Sequence, residues 1–229
     1  RMHCRISKSR LETNTVVATA IATMYSRCGS FKDAQSVFNE ISHKNIISWN
    51  MMVSVCGQHG WLMQAFKIYE QMQDEGIDPD QATYTSILSV CTNQIPLLTL
   101  GAHIHSCIIL NGFEPDIVVG TSLLNMYGKC GAVLEAEHVF GLASERNTVS
   151  WNTMISGYVN EGYYVDALRL FERMQQTGVR LEKPLALCII KACTCLGCLC
   201  KCKLLHALLL ETGNESDTMI QNTLIDMYA

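Results

Sequence analysis

The chain has 229 residues, is 48% apolar and 17% charged, and carries a formal net charge of −4. This composition excludes a disordered chain, and the apolar stretches fall short of the roughly 18 residues that a membrane span needs. The acidic balance also argues against a non-specific polyanion binder, though a protein that reads individual bases can gather its few cations locally. In chain order, residues 1–14 read as a cut unit, followed by a 31-residue unit at 15–45, a 35-residue unit at 46–80, a 36-residue unit at 81–116 and a 31-residue unit at 117–147. A second cycle gives 35 residues at 148–182 and 35 at 183–217, with 218–229 as another cut unit.

These units follow from matching the chain to itself, the first test a possible repeat protein requires. Displaced by 102 residues, Ile46-Ile47-Ser48-Trp49-Asn50-Met51-Met52 falls on Thr148-Val149-Ser150-Trp151-Asn152-Thr153-Met154. In the same frame Met24-Tyr25-Ser26-Arg27-Cys28-Gly29 falls on Met126-Tyr127-Gly128-Lys129-Cys130-Gly131, and Ala34, Val37 and Phe38 fall on Ala136, Val139 and Phe140.

Within a unit the spacing is helical. Met154, Ile155 and Tyr158 recur at intervals of three and four, and Ala167, Leu170, Phe171 and Met174 do the same. Gly162 separates the two runs and Gly178 follows the second, with Gly60 and Gly76 at the same places one cycle earlier. Each unit is therefore a helix, a turn and a second helix. Neither helix can bury its apolar face alone, so stacked neighbours supply the core and the expected fold is an all-α solenoid.

Twelve cysteines would suggest a disulfide scaffold if a signal peptide accompanied them. None is visible, and Arg1 stands in mid-pattern, so a targeting segment is expected upstream. A reducing interior is the simpler reading. Cys188, Cys193, Cys195, Cys198, Cys200 and Cys202 crowd one stretch, and Cys195-x-x-Cys198 has a spacing used by zinc sites. A second knuckle is absent, and His206 repeats the place of His105 and of His3, so packed thiols are favoured and no metal site or cofactor is expected. No Gly-rich phosphate loop or Gly-x-Ser-x-Gly elbow is present, and the chain is not expected to be an enzyme. Asn214-Glu215-Ser216 fits a common glycosylation tripeptide.

Unit lengths of 35, 36 and 31 in rotation, with the segments SWNTMISGY, MYGKCG and ALRLFERMQQTGV, resemble the pentatricopeptide repeat family and its long/short subclass. Tetratricopeptide repeats keep a uniform unit of about 34 residues and bind peptides, which the varying lengths disfavour. The resemblance spans essentially the whole chain. It implies a right-handed α-solenoid superhelix with the first helix of each unit on the inner surface, reading single-stranded RNA at about one base per repeat. In such arrays a polar residue early in the first helix selects the base, helped by the last residue of the unit. A small aliphatic residue near the helix start packs against the base.

Carried onto this chain, the resemblance pairs Thr19 with Asn45 for adenine, Asn50 with Asp80 for uracil, Thr85 with Asp116 for guanine and Thr121 with Asn147 for adenine. Asn152 with Glu182 implies a pyrimidine, Leu187 implies that the second long unit reads nothing, and Asn222 implies a pyrimidine. The implied target is near A-U-(G)-A-Y-N-Y. Val16, Ile47, Val118 and Val149, three residues before their selectors, are the base-packing candidates. The plain alternative is that the early polar residues satisfy free backbone N–H groups at the helix start. Recurrence in one register favours selection, because a cap would admit Ser or Asp equally. Trp49 and Trp151, beside the selectors, offer themselves as base-stacking platforms, but packing between units is the favoured expectation for them and for Trp61.

The resemblance implies a plant organelle factor, in mitochondrion or chloroplast, that selects sites for RNA editing or processing and works with processing proteins and no membrane. Arrays of this kind often precede a zinc deaminase domain, which needs His-x-Glu; no histidine here is followed two places later by Glu, so any such domain lies outside this chain. The second reading, from another class, is a helical scaffold that binds a protein partner in the same groove.

Overall fold

In the computed structural model the described residues are 15–91, 97–143, 145–197, 199–211 and 217–228, and they form thirteen helices and no strand. The cut unit at 1–14, with His3, and also Cys198 and the tripeptide at 214–216, lie outside these residues. The chain divides into two compact blocks, 1–113 and 114–229.

The first block holds three helical hairpins: α1 (Thr15–Arg27) with α2 (Phe31–Asn39), α3 (Ile46–Gln58) with α4 (Leu62–Asp74), and α5 (Gln81–Val90) with α6 (Leu97–Leu110). The leading helices form a row, α1 against α3 and α3 against α5, while α2 and α4 each also touch the next leading helix. The second block repeats the plan with α7 (Ile117–Lys129) and α8 (Val133–Leu142), α9 (Thr148–Asn160) and α10 (Tyr164–Gln176), α11 (Lys183–Leu196) and α12 (Leu199–Glu211), and then α13 (Thr218–Tyr228). Its row runs α7, α9, α11, α13, with α8 against α9 and α10 against α11.

Helix α10 shows why these segments are helical. Ala167, Leu168, Leu170, Phe171 and Met174 make one buried stripe, and Asp166 in the first turn and Arg173 in the last complement the helix dipole. The helix before it ends at Gly162. With φ at 83°, the Gly162 N–H reaches Val159 O at 3.3 Å and the Tyr163 N–H reaches Tyr158 O at 2.8 Å, which closes the helix end and reverses the chain. Gly60, Gly76 and Gly178 likewise have positive φ. Gly162→Ala is expected to cost about 1–2 kcal/mol from left-handed strain alone, since nothing lies within 4 Å of the added Cβ. Thermal denaturation followed by circular dichroism should show it; an unchanged midpoint would remove the strain argument.

The core carries one aromatic arrangement twice. Trp49 is 1% exposed and meets Phe38 edge to face at 4.9 Å, while Trp151 is 3% exposed and meets Phe140 at 5.0 Å. Lys44 Nζ lies 5.4 Å from the centre of Phe38, and Arg146 Cζ lies 4.9 Å from that of Phe140. These tryptophans are packing residues. Trp61, at the start of α4, is half-buried between His59, stacked at 4.7 Å, and Phe31 at 4.6 Å.

The cysteines fill helix positions. Cys56 is fully buried, which pushes its thiol up to about 12 and keeps it protonated. Cys193 and Cys202 are buried, and Cys195 and Cys200 are exposed. Among the described residues no group of three or more His, Cys, Asp or Glu side chains is assembled to hold a metal ion. His206 Nδ1 lies 3.3 Å from the Tyr228 hydroxyl, between α12 and α13.

Candidate nucleic-acid interface

Each leading helix begins with an apolar residue at its second position and, except for Leu187 in α11, a polar one at its fifth. Residues three apart share a helix face, so the two side chains stand one above the other. Val16 (76% exposed), Ile47 (66%), Val118 (53%) and Val149 (55%) all project toward solvent beside Thr19, Asn50, Thr121 and Asn152. Met219, 59% exposed and three residues before Asn222, belongs to this series and was missed because it is neither small nor β-branched.

The residues that precede five of these helices are caps. Asn45 Oδ1 accepts from Ser48 N at 3.0 Å, Asp80 Oδ1 from Thr83 N at 2.8 Å, and Asn147 Oδ1 from Ser150 N at 2.8 Å. Asp116 accepts from Val118 N and Val119 N, both at 2.9 Å, and Asp217 from Met219 N at 3.0 Å. The helix-start role weighed as the alternative for the early polar residues therefore falls on the residue that closes the preceding unit. The fifth-position residues stand one turn inside, beyond the free N–H groups.

Several of the unit-closing residues also hold the fifth-position side chain of the preceding leading helix. In the first block Asn50 Nδ2 donates to Asp80 Oδ1 at 2.9 Å, across 30 residues of sequence. In the second, Asn147 Nδ2 donates to Thr121 Oγ1 at 3.0 Å, and Asn152 Nδ2 donates to Glu182 Oε2 at 3.0 Å. Burial works to raise the Asp80 pKa, but hydrogen bonds from the Thr83 backbone and the Asn50 amide outweigh it, so the carboxyl titrates below its usual range.

Thr19 and Asn45 make no such bond: the Thr19 hydroxyl donates to Thr15 O at 2.6 Å, and Asn45 forms a capping box with Ser48. Thr85 Oγ1 donates to Ala82 O at 3.1 Å in the first block, while Asp116 belongs to the second. Glu182 gives its α11 terminus no side-chain cap, and Asn152 Oδ1 is buried without a partner. Leu187 is half-buried, Asp217 pairs with Lys183 at 2.7 Å, and Asn222 is exposed. Thr83, Ser48 and Ser150 are three of the buried polar side chains. Their signal was in the sequence as Asn or Asp followed three places later by Ser or Thr, the spacing of a capping box.

Comparison with known proteins fits this geometry. A family model described as PPR repeat family matches residues 44–93 and 146–182, and one described as PPR repeat matches 16–46 and 121–147. Together they span more than half of the chain. The chain belongs to the pentatricopeptide repeat family.

Among curated relatives, a pentatricopeptide repeat-containing protein of Arabidopsis thaliana is 35% identical over 227 residues, covering 99% of this chain and 27% of the relative. One named chloroplastic is 34% identical over 192 residues (84% and 31%), and one named mitochondrial is 35% identical over 230 residues (100% and 29%), both from the same plant. The chain thus spans between 27% and 31% of the length of these relatives. Crystal structures of maize PPR10 superpose with TM-scores of 0.69 alone (20% identity, 91% of this chain, 31% of that one) and 0.74 in complex with an 18-nt psaJ RNA element (13%, 98% and 39%). The PPR domain of Arabidopsis thaliana protein-only RNase P 1, in complex with tRNA, gives 0.67 (17%, 77% and 94%). These likenesses establish the fold as an α-solenoid of pentatricopeptide repeats.

Proposed function

We propose that this chain binds single-stranded RNA and reads about one base per repeat along its leading helices, with the repeats at 15–45, 46–80, 81–116, 117–147, 148–182 and 183–217 in long/short order. The observation that carries the reading is the held fifth-position side chain. Asn50 and Asn152 each commit one amide N–H to the closing carboxylate. An amide has two N–H groups and two lone pairs, so a donor remains on each, and on Asn50 a lone pair as well, for the Watson–Crick edge of a splayed base. Beside each stands an exposed Ile47 or Val149 on which the base face can rest. The carboxylates of Asp80 and Glu182 repel phosphate, so the base and not the backbone faces this surface.

The target is near A-U-(G)-A-Y-N-Y, with Thr121 and Asn147 reading adenine, and with Leu187 reading nothing. Thr19 with Asn45 is the weaker member, because the structure describes no bond within that pair; Thr85 with Asp116, and Asn222, complete the set. The array selects a site in an organellar transcript, in mitochondrion or chloroplast, for editing or other processing chemistry done elsewhere, with processing proteins as partners. The relatives named mitochondrial or chloroplastic, and the RNA-bound structures among its fold neighbours, support this.

Fluorescence anisotropy with the RNA A-U-G-A-C-A-C, against a control with A and U exchanged at the read positions and at two salt concentrations, tests the reading. Preference of about tenfold for the first RNA is expected. Equal binding of both would reduce the chain to a backbone binder, and no binding of either would leave a protein-binding scaffold.

A further inference from the structure

The Asn50 reader is held by more than its carboxylate. Thr83 Oγ1 lies 2.5 Å from Asn50 Oδ1 and 2.9 Å from Asp80 Oδ1. A threonine hydroxyl has one proton to give. Asp80 Oδ1 already accepts from Asn50 Nδ2 and from the Thr83 backbone N–H. Without a proton between them, the oxygens of Asn50 and Thr83 would repel at that distance, so the hydroxyl donates to Asn50. The amide is then anchored at both ends, nitrogen on Asp80 and oxygen on Thr83.

The equivalent reader one cycle later lacks the second anchor. The residue three places after Glu182 is Leu185, 1% exposed and without a hydroxyl. Asn152 Nδ2 keeps its bond to Glu182, and Asn152 Oδ1 is left buried with no partner. The terminal torsion of asparagine is broad and two-fold, so a half-turn exchanges the donor and acceptor that a base meets. One anchor penalises that half-turn less than two do.

We propose that Thr83 is a specificity-determining positioning residue, whose hydroxyl fixes the direction of the Asn50 amide toward its base, and that Leu185 makes Asn152 the less selective reader. This rests on the base-reading function. Thr83 contacts no base itself; it acts through Asn50.

The test is a set of anisotropy titrations of the whole chain with RNAs that differ only in the base opposite Asn50 (U or A), opposite Asn152 (C or A) or opposite Thr121 (A or U). Thr83→Val keeps the side-chain shape and removes the hydroxyl, and Thr83→Ser keeps the hydroxyl. Thr83→Val should lower the U-over-A ratio opposite Asn50 about fivefold and leave the ratio opposite Thr121 unchanged. Thr83→Ser should restore the wild-type ratio. Independently, Leu185→Thr should raise the C-over-A ratio opposite Asn152 by a similar factor. A Thr83→Val chain that keeps its ratio, or that loses affinity equally for both bases, overturns the proposal. Should Thr83→Val fail to fold, the gain arm decides, and a folded Leu185→Thr chain with an unchanged ratio overturns it. If the wild-type chain shows no base preference at any position, base reading itself fails and this inference with it; preference in the wild type with unmoved variants sinks the inference alone.

Discussion

Trp49→Ala is expected to be among the most destabilising single changes in the chain, at roughly 3–5 kcal/mol. The indole is 1% exposed, edge-on to Phe38 at 4.9 Å, with the Lys44 ammonium 6.0 Å from its ring. Truncation empties a site walled by two packed hairpins that cannot close on the void. One offset applies: Trp49 Nε1 is buried without a hydrogen-bond partner, so alanine also removes an unsatisfied donor. Against a total stability of about 5–15 kcal/mol, the loss should move urea unfolding strongly, with Trp151→Ala close behind. Trp61→Ala, at a half-buried ring, should cost clearly less. A Trp49→Ala chain within about 1 kcal/mol of the wild type would mean that the hairpin interface is far softer than its burial indicates.

The second large effect is a change of letter. Asn50→Thr combined with Asp80→Asn installs the residue pair found at Thr121 and Asn147, where the asparagine caps its helix and donates to the threonine at 3.0 Å. Helix capping is preserved, since Asn45 and Asn147 already cap, so stability should hold within about 0.5 kcal/mol. Base preference opposite that repeat should move from U toward A by about tenfold or more, the span of one well-placed hydrogen-bonding pair. Titration with the two RNAs that differ only at that base measures it. Retained preference for U would show that the pair does not select the base.

The repeat was legible because two independent signals coincide: apolar residues at helical spacing, and glycines that need positive φ, such as Gly60 and Gly162, in one register. Residues 30 apart, such as Asn50 and Asp80, could be paired on paper because a stacked repeat brings its own two ends together. Periodicity was weaker at helix starts, where the cap lies outside the apolar pattern. That is why capping was weighed at Asn50 and Thr121 and is found at Asp80, Asn147 and their counterparts. Nor was the orphaned Asn152 oxygen visible in its own repeat, because it depends on a leucine 33 positions onward. Lys44 and Arg146, one residue before the asparagine caps, lie over aromatic rings of the core, a placement that no sequence pattern marked.

Asp80 and Asn147 each start one helix and restrain the fifth-position side chain of the leading helix before it. The vocabulary open to evolution at this place is therefore short. A new letter has to be spelled with a side chain compact enough to fold back onto its own helix and polar enough to reach its neighbour, and aspartate and asparagine meet both demands. Glu182 shows the result of one added methylene: it still reaches Asn152, but it leaves its own helix uncapped. On the proposed base-reading role, drift in RNA preference and drift in folding stability pass through the same few codons, so such an array changes its target in steps and not by degrees.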